Sequence, residues 1–297
     1  MEGSKCYHMF MKTYDAARDL KRIRSFFEKS QSALGEELRL SKSNILRIEN
    51  GQVFPRPATL EAIYSYSYGQ GLDLNKEKAR FYEEGKGGNV LLFHGARGEI
   101  IGEVDNKHSL PPNDFGNGFY LGTSLKQGAT WVAASPSSSV YCFYFAPRGE
   151  LRKKEFSVDR EWMYAILYYR GAFQDKKIPA EVRKIVEEAE KLDYLIAPIA
   201  DNKMYEILGD FMKGEITDEA CLHALSMTDL GKQHVLKSEK AIASLRFVDR
   251  LYLCQEEKRN YLKVKAKEDG ESLNKVRMSL LEYRRKGKFI DELFEED

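Results

Sequence analysis

A chain of 297 residues has room for two domains of ordinary size, each burying its own core. With 42% hydrophobic and 31% charged residues it is too apolar to stay disordered, and 47 Lys and Arg against 46 Asp and Glu leave it nearly neutral, with too little net charge to attract a phosphate polymer. The four cysteines, Cys6, Cys142, Cys221 and Cys254, sit far apart with no paired spacing, and His223 near Cys221 does not make a ligand set, so no metal site is expected. The start MEGSKCYHMF lacks the apolar core of a signal peptide, and no apolar run nears the roughly 20 residues that span a bilayer. The expectation is a reduced, cytoplasmic protein without a membrane partner.

From Tyr14 to about Tyr68 the apolar spacing is helical, with Ser30, Ser41 and Thr59 as expected caps and Gly51, Pro55 and Pro57 as punctuation. The charged stretch NKEKARFYEEGKGGN then reads as a helix running into a glycine-rich joint. Beyond it, NVLLFHG, SSVYCFYFA, DYLIAPIA and QHVLK have the apolar and β-branched density of strands. SLKQGATWVAAS, PAEVRKIVEEAEKL and KMYEILGDFMKG between them read as helices. Strands and helices without regular alternation predict an α+β domain. From Glu256 onward Leu273, Val276, Leu280 and Leu281 recur at helical spacing, which predicts a terminal helix packed on the body or on a partner. The expected division is an all-α domain over residues 1–85, an α+β domain over 86–252 and a charged helical tail over 253–297.

Within the first of these, QSALGEELRLSKSNILRIENGQVFP places Leu34, Leu38, Ile45 and Ile48 where they close a small core between two helices joined by a turn near Leu40 and Ser41. Capping by Ser41 exposes Lys42, Ser43, Asn44 and Arg47 on the second helix, the residue types that reach bases and phosphates. Gln31, the Leu34/Leu38 pair, Ser41, Ile45, the Ile48–Glu49 step, Gly51 and Pro55 resemble the Xre/Cro/phage-repressor family of helix-turn-helix DNA-binding domains. That resemblance implies DNA contact by Gln31, Lys42, Ser43, Asn44 and Arg47, with DNA as a partner through residues 31–50. Dimerisation or protein contact is the alternative use of such a unit. Gly35 stands where that family prefers alanine.

In the second region, His94 ends a strand and is followed by Gly95, where backbone can approach a flat ligand. NDFGNGFYLGTSLKQGATWVA carries Tyr120 and, after it, Trp131, two aromatic faces that can hold a planar ring or simply fill a core. Asn113 and Asp114 read as turn formers, or as residues that order this loop. Asp201 in PIADNKMY, with Asn202 beside it, reads first as a helix cap.

Taken in order, HG, DFGNGFYL, the tryptophan, ADNKMY and the glutamine of KQHVL resemble the ADP-ribosyltransferase superfamily, in its branch with a His-Tyr-Glu type triad, and an uncharacterised bacterial family within it. The resemblance runs from about Asn89 to Val248 and implies a split β-sandwich that takes NAD as a substrate without a metal. It assigns His94 to the nicotinamide ribose, Gly95 to the carboxamide, and Tyr120 and Trp131 to either side of the nicotinamide ring. Ala96, Arg97, Asp114, Gly118 and Phe119 fall along the same NAD site, with Arg97 toward the pyrophosphate. The third triad position falls on Gln233, with Glu239 as the alternative. Ala96 and Gly128 stand where the poly-ADP-ribosyl branch carries hydroxyl residues.

Gln233 can hydrogen-bond a ribose hydroxyl but cannot act as a general base. The leading expectation is therefore a mono-ADP-ribosyltransferase acting on an unidentified macromolecule, targeted or autoregulated through DNA, as toxins and phage-defence proteins often are. A transcriptional regulator that only senses NAD or ADP-ribose, and an NAD glycohydrolase, are the alternatives. A homodimer is compatible with either.

Overall fold

The computed structural model describes residues 14–107, 109, 113–174, 177–228 and 230–294, without the Asn202 side chain. Cys6 and the MEGSKCYHMF segment therefore lie outside the described residues. In chain order the elements are α1 (Ala16–Phe26), α2 (Gln31–Leu38), α3 (Lys42–Glu49), α4 (Pro57–Gly69), α5 (Leu74–Glu84), β1 (Val90–Ala96), β2 (Phe119–Gly122), α6 (Leu125–Val132), β3 (Ser139–Phe145) and β4 (Lys153–Glu155). They continue with α7 (Arg160–Tyr169), α8 (Ala180–Glu190), β5 (Tyr194–Pro198), α9 (Asn202–Met212), α10 (Asp218–Ser226), β6 (Lys232–Leu236), α11 (Glu239–Ile242), β7 (Leu245–Tyr252), α12 (Gln255–Tyr283) and α13 (Ile290–Phe294). A helical region thus precedes a region of mixed strands and helices, the two-part layout that the composition pattern predicts. No helix among the described residues is long and apolar enough to cross a membrane.

By packing, the chain forms two compact units that combine segments distant in sequence. The first contains Met1–Glu103, Ser124–Phe145 and Arg246–Val264; the second contains Val104–Thr123, Ala146–Leu245 and Lys265–Asp297. The expected division at residues 85 and 252 follows chain order instead.

In the first unit Ser30 and Ser41 cap α2 and α3 as expected, their hydroxyls accepting from Ala33 N at 3.1 Å and Asn44 N at 3.2 Å. Thr59 does not cap: α4 begins earlier, because Pro57 supplies a helical φ at its first position behind Arg56. Leu34, Leu38, Ile45 and Ile48 close one core with Leu20, Ile23, Leu60 and Ile63. A Cβ on Gly35 would lie 2.5 Å from the Leu40 carbonyl, so glycine lets the α2–α3 turn fold back on the helix where the resembled family uses alanine. Arg39 in that turn takes φ +56°.

The same unit holds β1 antiparallel to β3, with His94 opposite Tyr141, and β7 on the other side of β3. Lys78 of α5 is fully buried between Asp19 of α1, at 2.8 Å, and Asp249 of β7, at 2.6 Å. The Tyr64 hydroxyl donates to Asp19 at 2.7 Å and the Tyr82 hydroxyl to Asp249 at 2.6 Å. This ion network joins the helices to a strand far along the chain, which is why the helical segment and β7 pack as one unit.

In the second unit the strand order is β4-β5-β6-β2, with β4 parallel to β5 and the other pairs antiparallel. Its core is formed by α7, α8, α9 and α10 around Trp162, Tyr164, Leu195, Phe211 and Leu225. The expected terminal helix is present as α12. Its Val276 and Leu280 pack on this core, while Leu273 and Leu281 are exposed.

Candidate functional site

The residues singled out from the sequence fall into two groups, one in each unit. In the first, His94 and Gly95 lie on β1, half-buried, while Ala96 is buried and Arg97 is exposed. A Cβ on Gly95 would lie 2.2 Å from the Gly128 carbonyl, and one on Gly128 would lie 3.3 Å from Phe93 Cβ. These two glycines let α6 approach β1 closely, which explains Gly95 by helix packing. Ser124 and Gln127 form a capping box that starts α6 there. Trp131, on α6, is 61% exposed. Lys42, Ser43, Asn44 and Arg47 are exposed along α3, while the Gln31 amide donates to the buried Glu49 carboxylate at 2.7 Å. Glu49 also receives Arg24 at 2.7 Å, so Gln31 helps tie α2 to α3.

The second group converges. Asp114 is buried, and its Oδ1 accepts from Arg170 Nη2 at 2.7 Å and from the Tyr205 hydroxyl. Its Oδ2 accepts from Gln233 Nε2 at 2.8 Å and from Ala200 N at 3.5 Å. Arg170 also donates to the Tyr205 hydroxyl, and its guanidinium carbon lies 3.9 Å from the centre of that ring. Burial, reinforced by the Asp114 charge, pushes the Tyr205 hydroxyl far above the usual tyrosine range, so it stays a donor. Arg170 Nε is buried with no hydrogen-bond partner among the described residues. A buried N–H of that kind costs about 1–3 kcal/mol until an acceptor reaches it.

Tyr120, on β2, holds the same segment from the other side. Its hydroxyl donates to the Gly116 carbonyl at 2.7 Å and accepts from Phe115 N at 3.1 Å. Burial raises its ionisation well above the usual range. Gly116 takes φ +70°, and a Cβ there would also meet the Tyr169 ring at 2.9 Å, so the turn requires glycine. Gly118 and the buried Phe119 follow; a Cβ on Gly118 would meet Val235 of β6 at 2.6 Å. Lys237 completes the clamp by donating to the Phe115 carbonyl at 3.1 Å and to Glu190 at 2.9 Å. Asp114 therefore orders the loop rather than forming an exposed turn.

Asp201 caps α9, accepting from Lys203 N and Met204 N at 3.1 Å each, as expected. Glu239 lies exposed at the start of α11, while Gln233 is buried in β6, opposite Gly122 of β2 and Ala197 of β5. The structure thus brings Asp114, Gly118, Phe119, Tyr120 and Gln233 together within one unit. It adds two residues to which the sequence reading gave no role, Arg170 and Tyr205. Tyr205 was signalled by its place in ADNKMY; Arg170 had no signal, since its partner is 56 residues away. Among the described residues no group of three or more His, Cys, Asp or Glu is placed to hold a metal ion.

Residues 90–247 match the family described as "Protein of unknown function (DUF3990)". That span is more than half of the chain, and the chain belongs to this family. Comparison with curated proteins and with solved structures gave no match.

Proposed function

We propose that this protein is a mono-ADP-ribosyltransferase that cleaves NAD and passes one ADP-ribose to a macromolecule, with its N-terminal helix-turn-helix serving to bind DNA. The observation that carries the reading is the convergence on Asp114. Three of the separated pieces on which the resemblance rests, DFGNGFYL, ADNKMY and KQHVL, supply Asp114, Tyr205 and Gln233 to one polar cluster, which Arg170 joins from outside them. Structural convenience alone does not require these three segments to meet at one carboxylate.

The chemistry proposed for the site is modest. Departure of nicotinamide leaves an oxocarbenium-like ribose, so gripping and orienting the sugar accelerates the step without a covalent intermediate. In this reading Gln233 hydrogen-bonds the ribose and Tyr120 flanks the nicotinamide, while His94, Gly95 and Trp131 keep the NAD roles that the resemblance assigns them. Gln233 orients but does not deprotonate, which favours a single transfer over chain growth.

The test is mass spectrometry of NAD incubated with the protein, with and without cell lysate. Release of nicotinamide with labelled macromolecules supports transfer, and release with free ADP-ribose supports hydrolysis instead. His94→Ala is expected to lower release by ~100-fold or more while circular dichroism stays unchanged. Wild-type turnover in that variant removes His94 from the site. The DNA-binding half is checked with the protein's own upstream DNA at low salt, where affinity should fall log-linearly as salt rises. A sensor of NAD or ADP-ribose is the second reading, favoured by the absence of a general base at Gln233; NAD that binds but stays intact identifies it.

A further inference from the structure

An amide side chain can present either its donor or its acceptor to a ligand, and coordinates alone seldom say which. At Gln233 the chemistry of the neighbours decides. Its Nε2 lies 2.8 Å from Asp114 Oδ2 and 3.4 Å from the Pro198 carbonyl oxygen. A carboxylate and a backbone carbonyl only accept, so the flipped amide would set an oxygen against two oxygens. Both amide hydrogens are therefore used inside the protein, and among the described residues no donor reaches Oε1.

Asp114 cannot turn away from this task. Arg170 and Tyr205 occupy its Oδ1, and Ala200 N shares its Oδ2 with Gln233. We propose that Asp114 is a positioning residue that locks Gln233 as an acceptor only, so that this point of the site takes a hydroxyl or N–H donor of the ligand. Naming that donor as a ribose hydroxyl rests on the NAD reading above; the locking of the amide does not. Gln233 is then not a weakened glutamate. It is the side chain that a neighbouring carboxylate demands, since a glutamate there would face Asp114 and the Pro198 carbonyl with no hydrogen to give.

The titratable and charged groups around this point are Asp114 from the loop before β2, Arg170 from the end of α7 and Tyr205 from α9. Tyr120 of β2, Tyr169 of α7, Glu190 of α8 and Lys237 after β6 gather at the adjoining Phe115. With one cation facing two carboxylates, Gln233→Glu must bind a proton on folding that it does not hold when unfolded. Its stability is then present in acid and lost as pH rises.

The experiment is thermal unfolding of the full chain between pH 5 and pH 8 for the wild type, Gln233→Glu, Asp114→Asn and the double variant Asp114→Asn/Gln233→Glu. Relative to wild type, Gln233→Glu should lose on the order of 5 °C more at pH 8 than at pH 5. The double variant restores one donor and one carboxylate in exchanged places, and should recover most of that loss. If Gln233→Glu follows the wild-type pH profile, or the double variant does no better than the two single changes summed, the proposal is overturned. NAD affinity by calorimetry, read beside these profiles, tests the ligand assignment separately. A wild type that binds no NAD removes the ribose while leaving the pH profiles to judge the amide. In a protein that turns NAD over, Gln233→Glu at pH 8, assayed well below its own unfolding transition, should lose kcat with recovery in the double variant.

Discussion

In the first unit a fully buried lysine sits between two aspartates that each also accept from a tyrosine hydroxyl, with the half-exposed Arg18 3.8 Å from Asp249. In the second unit an arginine meets one aspartate that also holds a tyrosine and a glutamine, but Arg170 keeps 22% of its side chain exposed. The residue types are nearly the same. What differs is completeness: among the described residues no buried polar atom of the Lys78 network lacks a partner, whereas the Asp114 network leaves Arg170 Nε buried without one. A closed network is what tertiary structure alone requires. An open one, held rigid on the protein side, is the form a binding site takes before its ligand arrives.

The comparison predicts unequal responses to the loss of one member. Lys78→Met leaves Asp19 and Asp249 facing each other in a buried site, and should cost about 3–5 kcal/mol in urea unfolding. A cost below about 1 kcal/mol would mean that the network is neither closed nor dry. Asp114→Ala should cost less, about 1.5–3 kcal/mol, because the partly exposed Arg170 can turn to water. A loss equal to that of Lys78→Met would erase the distinction between the two networks.

A third variant tests how dry the first unit is. Glu257, buried at the start of α12, receives the Asn75 amide at 2.9 Å, and burial, with the Asp73 charge adding, pushes its carboxyl up to about 8. The unfolded carboxyl titrates near about 4.3, so between these values the folded state holds a proton that the unfolded state has released. Stability from this group is present below the lower value and lost as pH rises toward the upper, by up to about 1.4 kcal/mol per pH unit. Glu257→Gln should flatten that decline in denaturation measured from pH 5 to pH 8. An unchanged slope would show that Glu257 titrates in contact with water.

How much of this could be read from the chain depends on range. The α2–α3 pair was legible because Leu34, Leu38, Ile45 and Ile48 pack locally and Ser30 and Ser41 announce the helix starts. β1, β3, β5 and β6 were legible from apolar density alone. β7 was not, since LRFVDRLY carries Asp249 and Arg250, whose burial depends on Lys78, Tyr82, Ser139 and Glu99 elsewhere in the chain. β4 is three charged residues at the edge of a sheet, with no pattern to see. α7 hid for the opposite reason: Trp162 to Leu167 are all buried, so no polar face marks its period. Of the site, the glycines and aromatics of DFGNGFYL were visible. The ion pair of Asp114 with Arg170 was not, because an ion pair across 56 residues leaves no local trace.

The sequence contains two tryptophans, and each unit holds one of them. Trp131 stands 61% in solvent on α6, while Trp162 is sealed in the core of the second unit with its indole N–H on the Pro198 carbonyl. Their emission therefore separates without any label: a long-wavelength component that iodide quenches belongs to the first unit, and a short-wavelength component that it cannot reach belongs to the second. The protein carries its own two-channel optical record, in which the unfolding of either half can be followed in the presence of the other.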